Sequence, residues 1–436
     1  MTKERFLRGA GRVAAVLFGA CFLTGCAGHT QGPEIYIDEN KPDIVISLFE
    51  QNRKVSATID SHCINILNEE NQGNIILYSD SAGYFAEEGL SYRELLLKRM
   101  ESGEADDLYV IPAEDVLEFS KKGFIYDLSG LPFLENLSDD AIKQSTYDGV
   151  VFSVPLAYTV FGLVWNLDML HQYHLEPPAN LEEFWTVCET LKEQGILPYG
   201  ANLDYGLSLL AMSAGLGPLY QASDAEQRLT GLDSGEIPIS SYMRDGFSFV
   251  QTMIDKGYLD VEQALSTQPG SEEEISRFME GKCASISSIC NAKLFSRDYP
   301  FELRMTAFPV LEDGSVSVVG ADTRVTVNPN SAHLEEALMI LENLCKPEVL
   351  NEFAMQKKKI SSARGGESCA DPQADDLVAC AVEGGQIPNQ DFRLHFNTWN
   401  TIKEFCVKLG QGASVDEVCR EYDERQLTEI SEQTGE

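Results

Sequence analysis

Apolar positions along this chain fall into two rhythms. Asp43–Phe49 (D-I-V-I-S-L-F), Asn74–Ser79 (N-I-I-L-Y-S) and Asp107–Ile111 (D-L-Y-V-I) are short, nearly continuous apolar runs, the pattern of buried strands. Between them the spacing turns helical. Val55, Ile59, Cys63, Ile66 and Leu67 share one face of a helix from about Lys54. Ser91 and Glu94 form a capping box for a helix over Tyr92–Glu101 that stops at Gly103. A further helix closes on Gly123. Strands alternating with helices predict a parallel α/β sheet.

The stretch from Thr146 to Gly200 is the most patterned. A turn at Asp148-Gly149 leads to a strand ending at Pro155 and a second apolar run from Val160 to Trp165. A short helix over Leu167–His171 meets Pro177-Pro178, and Asn180 with Glu183 then caps a helix. Leu181, Phe184, Val187, Cys188 and Leu191 keep its spacing to Gly195. Trp165 and Trp185 fall on core-facing positions of these elements. Downstream, Leu207–Leu216, Met243–Lys256, a Ser271-capped segment, a segment from Ser331, Phe396–Leu409 and Val415–Arg425 read as helices. Phe308–Val310 and the run after Asp313-Gly314 read as strands. Residues 221–240 are polar and turn-rich, and 361–390, rich in Gly, Ser and Pro, read as loop.

Tyr147, Gly149, Val154-Pro155, Gly162-Leu163, Trp165-Asn166-Leu167-Asp168, Pro178, Glu182-Glu183-Phe184 and Gly195 together make a pattern that resembles extracellular solute-binding protein family 1 of ATP-driven importers. That family includes carbohydrate-binding lipoproteins, and the likeness extends over about Asp43 to Glu424. It implies a two-lobed, periplasmic-binding-protein-like α/β fold of type II, with hinge-linked lobes and central mixed sheets. The implied N-terminal lobe is 43–153 plus 307–345, and the C-terminal lobe 154–306 plus 346–436. Crossovers are expected near 154–162 and 307–321.

Lys3, Arg5, Arg8 and Arg12 precede an apolar run from Val13 to Phe22, a secretory signal too short to count as a membrane span. Leu23-Thr24-Gly25-Cys26 resembles a lipobox. Residues 1–25 would then be the signal peptide, Cys26 the lipidated residue, and 26–42 a tether to the membrane. The formal charge of −36, from 69 acidic and 33 basic side chains, disfavours nucleic acid and anionic surfaces as partners. Cys63, Cys188, Cys283, Cys345 and Cys406 sit at apolar positions and read as core thiols. A Cys369–Cys380 disulfide stays open.

A sugar site needs flat aromatic faces together with charged or amide groups, set in a cleft. The resemblance places such loops after the N-lobe strands, at the crossovers and at the C-lobe strand ends. It implies Glu50 and Asn52 after the first strand, Glu114 and Asp115 after the third, and Tyr158 and Thr159 at the first crossover. On the other lobe it implies Asn202, Tyr205, Asn291 and Trp399, with Trp399 as the stacking residue. Glu50 and Asn52 could equally be a solvated connection, Glu114 and Asp115 helix N-terminal charges, and Tyr158 a hinge-packing residue. Asp322 and Arg324 flank the second crossover, as ligand contacts or as an ion pair. Where sugar-binding relatives read Gly-x-Trp this chain has Ile289-Cys290-Asn291, so one stacking platform is missing.

His171 and His174 read as a polar helix end rather than half a metal site. G-x-S-x-G, H-E-x-x-H and P-loop patterns are absent from the sequence, and the reading is of a binding protein without catalysis, metal or cofactor. Implied partners are a small-molecule ligand, foremost a carbohydrate, the permease subunits of an importer, and the membrane through a lipid; the chain itself is expected to be monomeric. A ligand-sensing surface lipoprotein and a binder of a non-sugar solute are the alternatives.

Overall fold

The computed structural model describes residues 35–51, 53–80, 89–366 and 371–434, except the side chains of Asp80, Glu114 and Thr434. The signal segment, Cys26, Asn52 and Cys369 lie outside the described residues. In chain order the strands are β1 (Asp43–Phe49), β2 (Asn74–Asp80), β3 (Leu108–Ile111), β4 (Thr146–Tyr147), β5 (Val150–Val151) and β6 (Val154–Asn166). There follow β7 (Leu197–Gly200), β8 (Cys283–Ile289), β9 (Leu303–Thr306), β10 (Phe308–Leu311), β11 (Gly314–Val327), β12 (Ile360–Ser361) and β13 (Gln386–Pro388).

The main path of the large sheet is β2-β1-β3-β11-β6-β8-β7. The sheet is mixed, as the resemblance implies, and parallel, as the alternation predicts, only in part. β1 pairs in parallel with β2 and β3, and β7 with β8, but the long strands β6 and β11 run antiparallel to their neighbours in this path. β6 and β11 pair from Val318↔Phe161 to Val325↔Val154. At one end β11 meets β3, and at the other β6 meets β8 and β9. Both halves of the molecule thus hang on the same two strands.

Period-two alternation sorts these strands between cores. Leu48 and Leu108 enter one apolar cluster while Phe49 and Tyr109 enter another, under the helices Tyr92–Ser102 and Val116–Lys121. Along β6, Val160 and Val164 face the first cluster; Phe161, Leu163 and Trp165 face a third, shared with the helices Tyr205–Tyr220 and Ser240–Asp255. Trp165 is buried and its indole N–H donates to Thr306 Oγ1 at 3.0 Å. Trp185 packs on Phe249 with ring centroids 4.7 Å apart. Trp165 is a core residue and Trp185 packs, half-buried, against the core.

Local rules explain the helix starts. Ser91 and Glu94 make the full capping box, and Asn180 accepts from Glu183 N–H at 3.0 Å. Three expectations need correction. The helix from Lys54 breaks at Cys63 into Lys54–His62 and Ile64–Glu70, and the restart turns Ile66 outward to 39% exposure. The polar, turn-rich stretch 221–240 holds the helix Ala225–Asp233, whose Leu229 and Leu232 are buried. The supposed loop 361–390 holds the helix Asp375–Val382 and β13, which pairs with β11 and is too short to show a period. The end of the supposed tether is pinned: Tyr36 N–H donates to Asn65, Asp38 N–H to Asn74, and the Lys41 ammonium to the Asn71 carbonyl. Cys63, Cys188, Cys283, Cys345 and Cys406 are buried free thiols. Cys380 is a free thiol too, its Sγ donating to the carbonyls of Ser315 and Gly385 at 3.4 and 3.3 Å. Among the described residues no helix is long and apolar enough to cross a membrane.

Candidate functional site

A cavity of about 490 Å³ opens where β1 and β3 end against β11, lined by Glu50, Gln51, Lys54, Tyr92, Ile111–Ala113 and Ala321–Arg324. Carboxyl ends of parallel strands are where such sheets leave backbone groups and loops for ligands. Tyr92 ties the two strand ends together: its hydroxyl donates to the Phe49 carbonyl at 3.2 Å and to the Val110 carbonyl, and its ring stacks on Phe49 at 5.3 Å.

Glu50 lines this cavity yet is 1% exposed. Its carboxylate accepts from Val55 N–H at 2.9 Å, Ser56 N–H at 3.1 Å and Ser79 Oγ at 3.1 Å. It therefore satisfies the first turn of the helix Lys54–His62 that Arg53, at φ 21°, does not cap. Asp115 is also buried, its carboxylate held by Arg93, which reaches Glu118 as well. Asp115 is not among the cavity's lining residues.

At the crossover, Tyr158 is buried opposite Ala321, and its hydroxyl shares a hydrogen bond of 2.7 Å with Ser138. Burial pushes this phenol's pKa up, with Ser138 acting against it, so the group stays a neutral hydroxyl tied to Ser138. Thr159 Oγ1 accepts from the Lys359 ammonium at 2.9 Å, and the same ammonium pairs with Asp322. Burial alone would raise the Asp322 pKa, but Lys359 and the Thr323 backbone N–H hold it below the usual carboxylate value. Asp322 thus pairs with Lys359, not with Arg324. Arg324 is buried and its guanidinium lies over the Phe392 ring at 5.2 Å. Thr323, between them, has φ 51°, a left-handed backbone for a β-branched residue, and such strain collects at functional sites.

Farther along β6, Phe161 sits between two aromatic rings, 5.5 Å from Tyr205 and 5.4 Å from Trp399. Tyr205 and Trp399 each open a helix and are half-buried. The Lys403 ammonium lies 4.2 Å from the Trp399 ring centroid and pairs with Asp204 at 2.5 Å. Structure thus brings together the two aromatics that the resemblance implied and adds Phe161.

Asn202 and Asn291 are committed to the protein. Asn202 is fully buried; its Oδ1 accepts from Gly206 N–H and its Nδ2 donates to Glu274, both at 2.8 Å. Asn291 caps the short helix Ala292–Phe295 through Leu294 N–H at 3.0 Å. Glu114 keeps its backbone place in the turn Ala113–Asp115, but its side chain is outside the described set. His171 lies exposed beside Glu176, 3.4 Å away. Tyr92, Lys54, Phe161 and Lys359 were missed by the sequence reading. The run Lys357-Lys358-Lys359, in so acidic a chain, was the available signal.

Residues 91–374 match the family described as bacterial extracellular solute-binding protein. Among curated proteins, the chain is 22% identical over 273 residues to the multiple sugar-binding protein of Streptococcus mutans, a match over 59% of this chain and 63% of that one. The chain therefore spans under two thirds of that relative's length. The apo-form of RafE from Streptococcus pneumoniae superposes with TM-score 0.69 at 16% identity, covering 91% of this chain and 100% of that one. RafE in complex with raffinose gives 0.66 at 16% identity, with 89% and 100% covered. A Bacillus licheniformis sugar transporter in complex with stachyose gives 0.62 at 18% identity, with 87% and 98% covered. These likenesses establish the type II, two-lobed fold.

Proposed function

Because the chain belongs to the family of bacterial extracellular solute-binding proteins, we propose that it captures a sugar or oligosaccharide between its lobes and delivers it to the permease of an ATP-driven importer. The observation that carries this reading is the Tyr205–Phe161–Trp399 cluster, two residues along β6 from Thr159, whose partner Lys359 also pairs with Asp322 of the cavity wall. Flat rings bind the C–H faces of a pyranose, and polar groups order its hydroxyls. The relatives named for multiple sugars, and those holding raffinose and stachyose, support the class of ligand.

In this reading the lobes are joined through β6 and β11, and a ligand touching both sides favours a closed form. Residues 43–153 and the helix Leu334–Leu344 belong to one lobe, and the aromatic cluster to the other. Trp399, Tyr205, Thr159 and Glu50 stay in the site, Glu50 by shaping the cavity wall. Cys26 carries the lipid that holds the protein on the extracellular face of the membrane. No bond is made or broken in the cargo; the partner ATPase supplies the energy.

A thermal-shift titration of the purified chain against mono- and oligosaccharides, amino acids and short peptides tests the reading. A saturable rise in Tm with a saccharide, and no product formed, is the expected result. A rise with an amino acid or peptide alone would replace the sugar by another solute.

A further inference from the structure

One lysine ammonium gathers three segments of the sheet beside the cavity, and the role inferred for it rests on the saccharide reading above. At Ala157–Tyr158, β6 is flanked by β11 on one side, through Asp322 and Ala321, and by β12 on the other, through Ser361 and Ile360. Lys359 immediately precedes β12. Its ammonium donates to Thr159 Oγ1 of β6 at 2.9 Å and to Asp322 Oδ2 of β11. The Lys359 side chain is 11% exposed and that of Asp322 36%. Asp322 lines the cavity, and Lys359 is not among its lining residues.

Asp322 needs such a partner because its own strand is interrupted beside it. In a regular strand neighbouring side chains point to opposite faces, yet Ala321, Asp322, Thr323 and Arg324 all line the cavity. The left-handed backbone of Thr323, at φ 51°, breaks the alternation and brings consecutive residues to one cavity. Pairing with β6 passes around it, from Asp322↔Ala157 to Arg324↔Pro155. A side chain at such an interruption would lose rotamer freedom on binding a ligand, and a partner that orders it beforehand removes that cost. Lys359 meets one oxygen of Asp322, and a carboxylate carries about four acceptor positions. We propose that Asp322 accepts a hydroxyl of the cargo saccharide and that Lys359 is its positioning residue, fixing the carboxylate from beyond the cavity wall by tying β11 to β6 and to the start of β12.

A double-mutant cycle tests this, run by calorimetric titration of the purified chain with raffinose and stachyose. Lys359→Met should weaken binding about fivefold, the size of ordering one side chain on binding, although the lysine lines no part of the cavity. Asp322→Asn should weaken binding as well. In the Asp322→Asn background the loss from Lys359→Met should shrink to within about twofold, because the lysine acts through that carboxylate. Lys359→Arg should recover most of the parent's affinity. Where Lys359→Met fails to fold, Lys359→Gln, which drops the charge and keeps a donor, takes its place in the cycle.

Equal losses in the two backgrounds, or a folded Lys359→Met with the parent's affinity, would overturn the positioning role and leave the saccharide reading intact. An Asp322→Asn chain that binds as tightly as the parent would remove Asp322 from the site. If an amino acid or short peptide binds in place of the sugars, the saccharide reading falls, and the same ratios measured with that solute decide the role of Lys359. If no solute of the thermal-shift panel binds the parent chain, both readings fall.

Discussion

Trp399 and Asn202 look alike as sequence candidates, and the structure assigns them different work. Trp399 is half-buried, rests against Phe161 and carries Lys403 over its ring. Trp399→Ala should weaken saccharide binding by about 1 kcal/mol or more, measured by calorimetry, with the folded circular-dichroism spectrum kept. Unchanged affinity would remove it from the site. Asn202 instead spends its amide on Gly206 and on buried Glu274. Burial raises the Glu274 pKa, and the bonds from Asn202 and the Gly270 N–H oppose that rise. Asn202→Ala removes one of these donors, and should cost stability of about 1–3 kcal/mol in urea unfolding while leaving affinity nearly constant. Such a difference is invisible in sequence, because a polar residue's partner is set by tertiary placement: Glu274 is far along the chain, as Arg93 is from Asp115.

At the level of elements, β6 explains residues that the sequence offered only as a pattern. Gly162 lies where β9 and the helix Asp375–Val382 close on the strand. A Cβ there would stand 2.4 Å from the Thr306 carbonyl oxygen and 2.9 Å from Leu377 Cδ1. Gly162→Ala should therefore destabilise by about 1–3 kcal/mol through overpacking, read as a lower urea midpoint; an unchanged midpoint would mean β9 can give way. Helix starts and core strands were legible wherever a cap or an alternation is local, as at Ser91, Asn180 and Phe49. Short elements that exist only through a neighbour were not. β13 needs β11, and the break at Cys63 turned Ile66 outward against its helical spacing. The aromatic candidates Tyr205 and Trp399 could be picked out in the sequence, while Lys359, which pairs with Asp322 of the cavity wall, lies just past a helix terminus that gave no such signal.

Over the whole molecule, segments far apart in sequence meet at one histidine. His395 Nδ1 lies 2.9 Å from Asp233 at the end of the helix Ala225–Asp233, and Nε2 lies 2.9 Å from Asp148 in the turn between β4 and β5. The Tyr147 ring stands edge-on at 6.2 Å and stacks obliquely on Phe392. Partial burial pulls the His395 pKa down, but the hydrogen bonds and charges of Asp148 and Asp233 outweigh it, and the net direction is above the ordinary 6.5. A folded pKa raised above the unfolded one means the native state holds the proton longer. The clasp's stabilisation is fully present below about pH 6.5, the unfolded value, and is lost as pH rises through the folded pKa above it. His395→Gln should lower Tm at pH 6 and converge on the parent as pH rises through the folded pKa, where the parent's imidazole loses its charge. The difference between the two Tm curves, measured across that range in the ligand-free chain, isolates the one group. A difference that does not change with pH would show that the imidazole holds the β4–β5 turn by packing and neutral hydrogen bonds, without a charge.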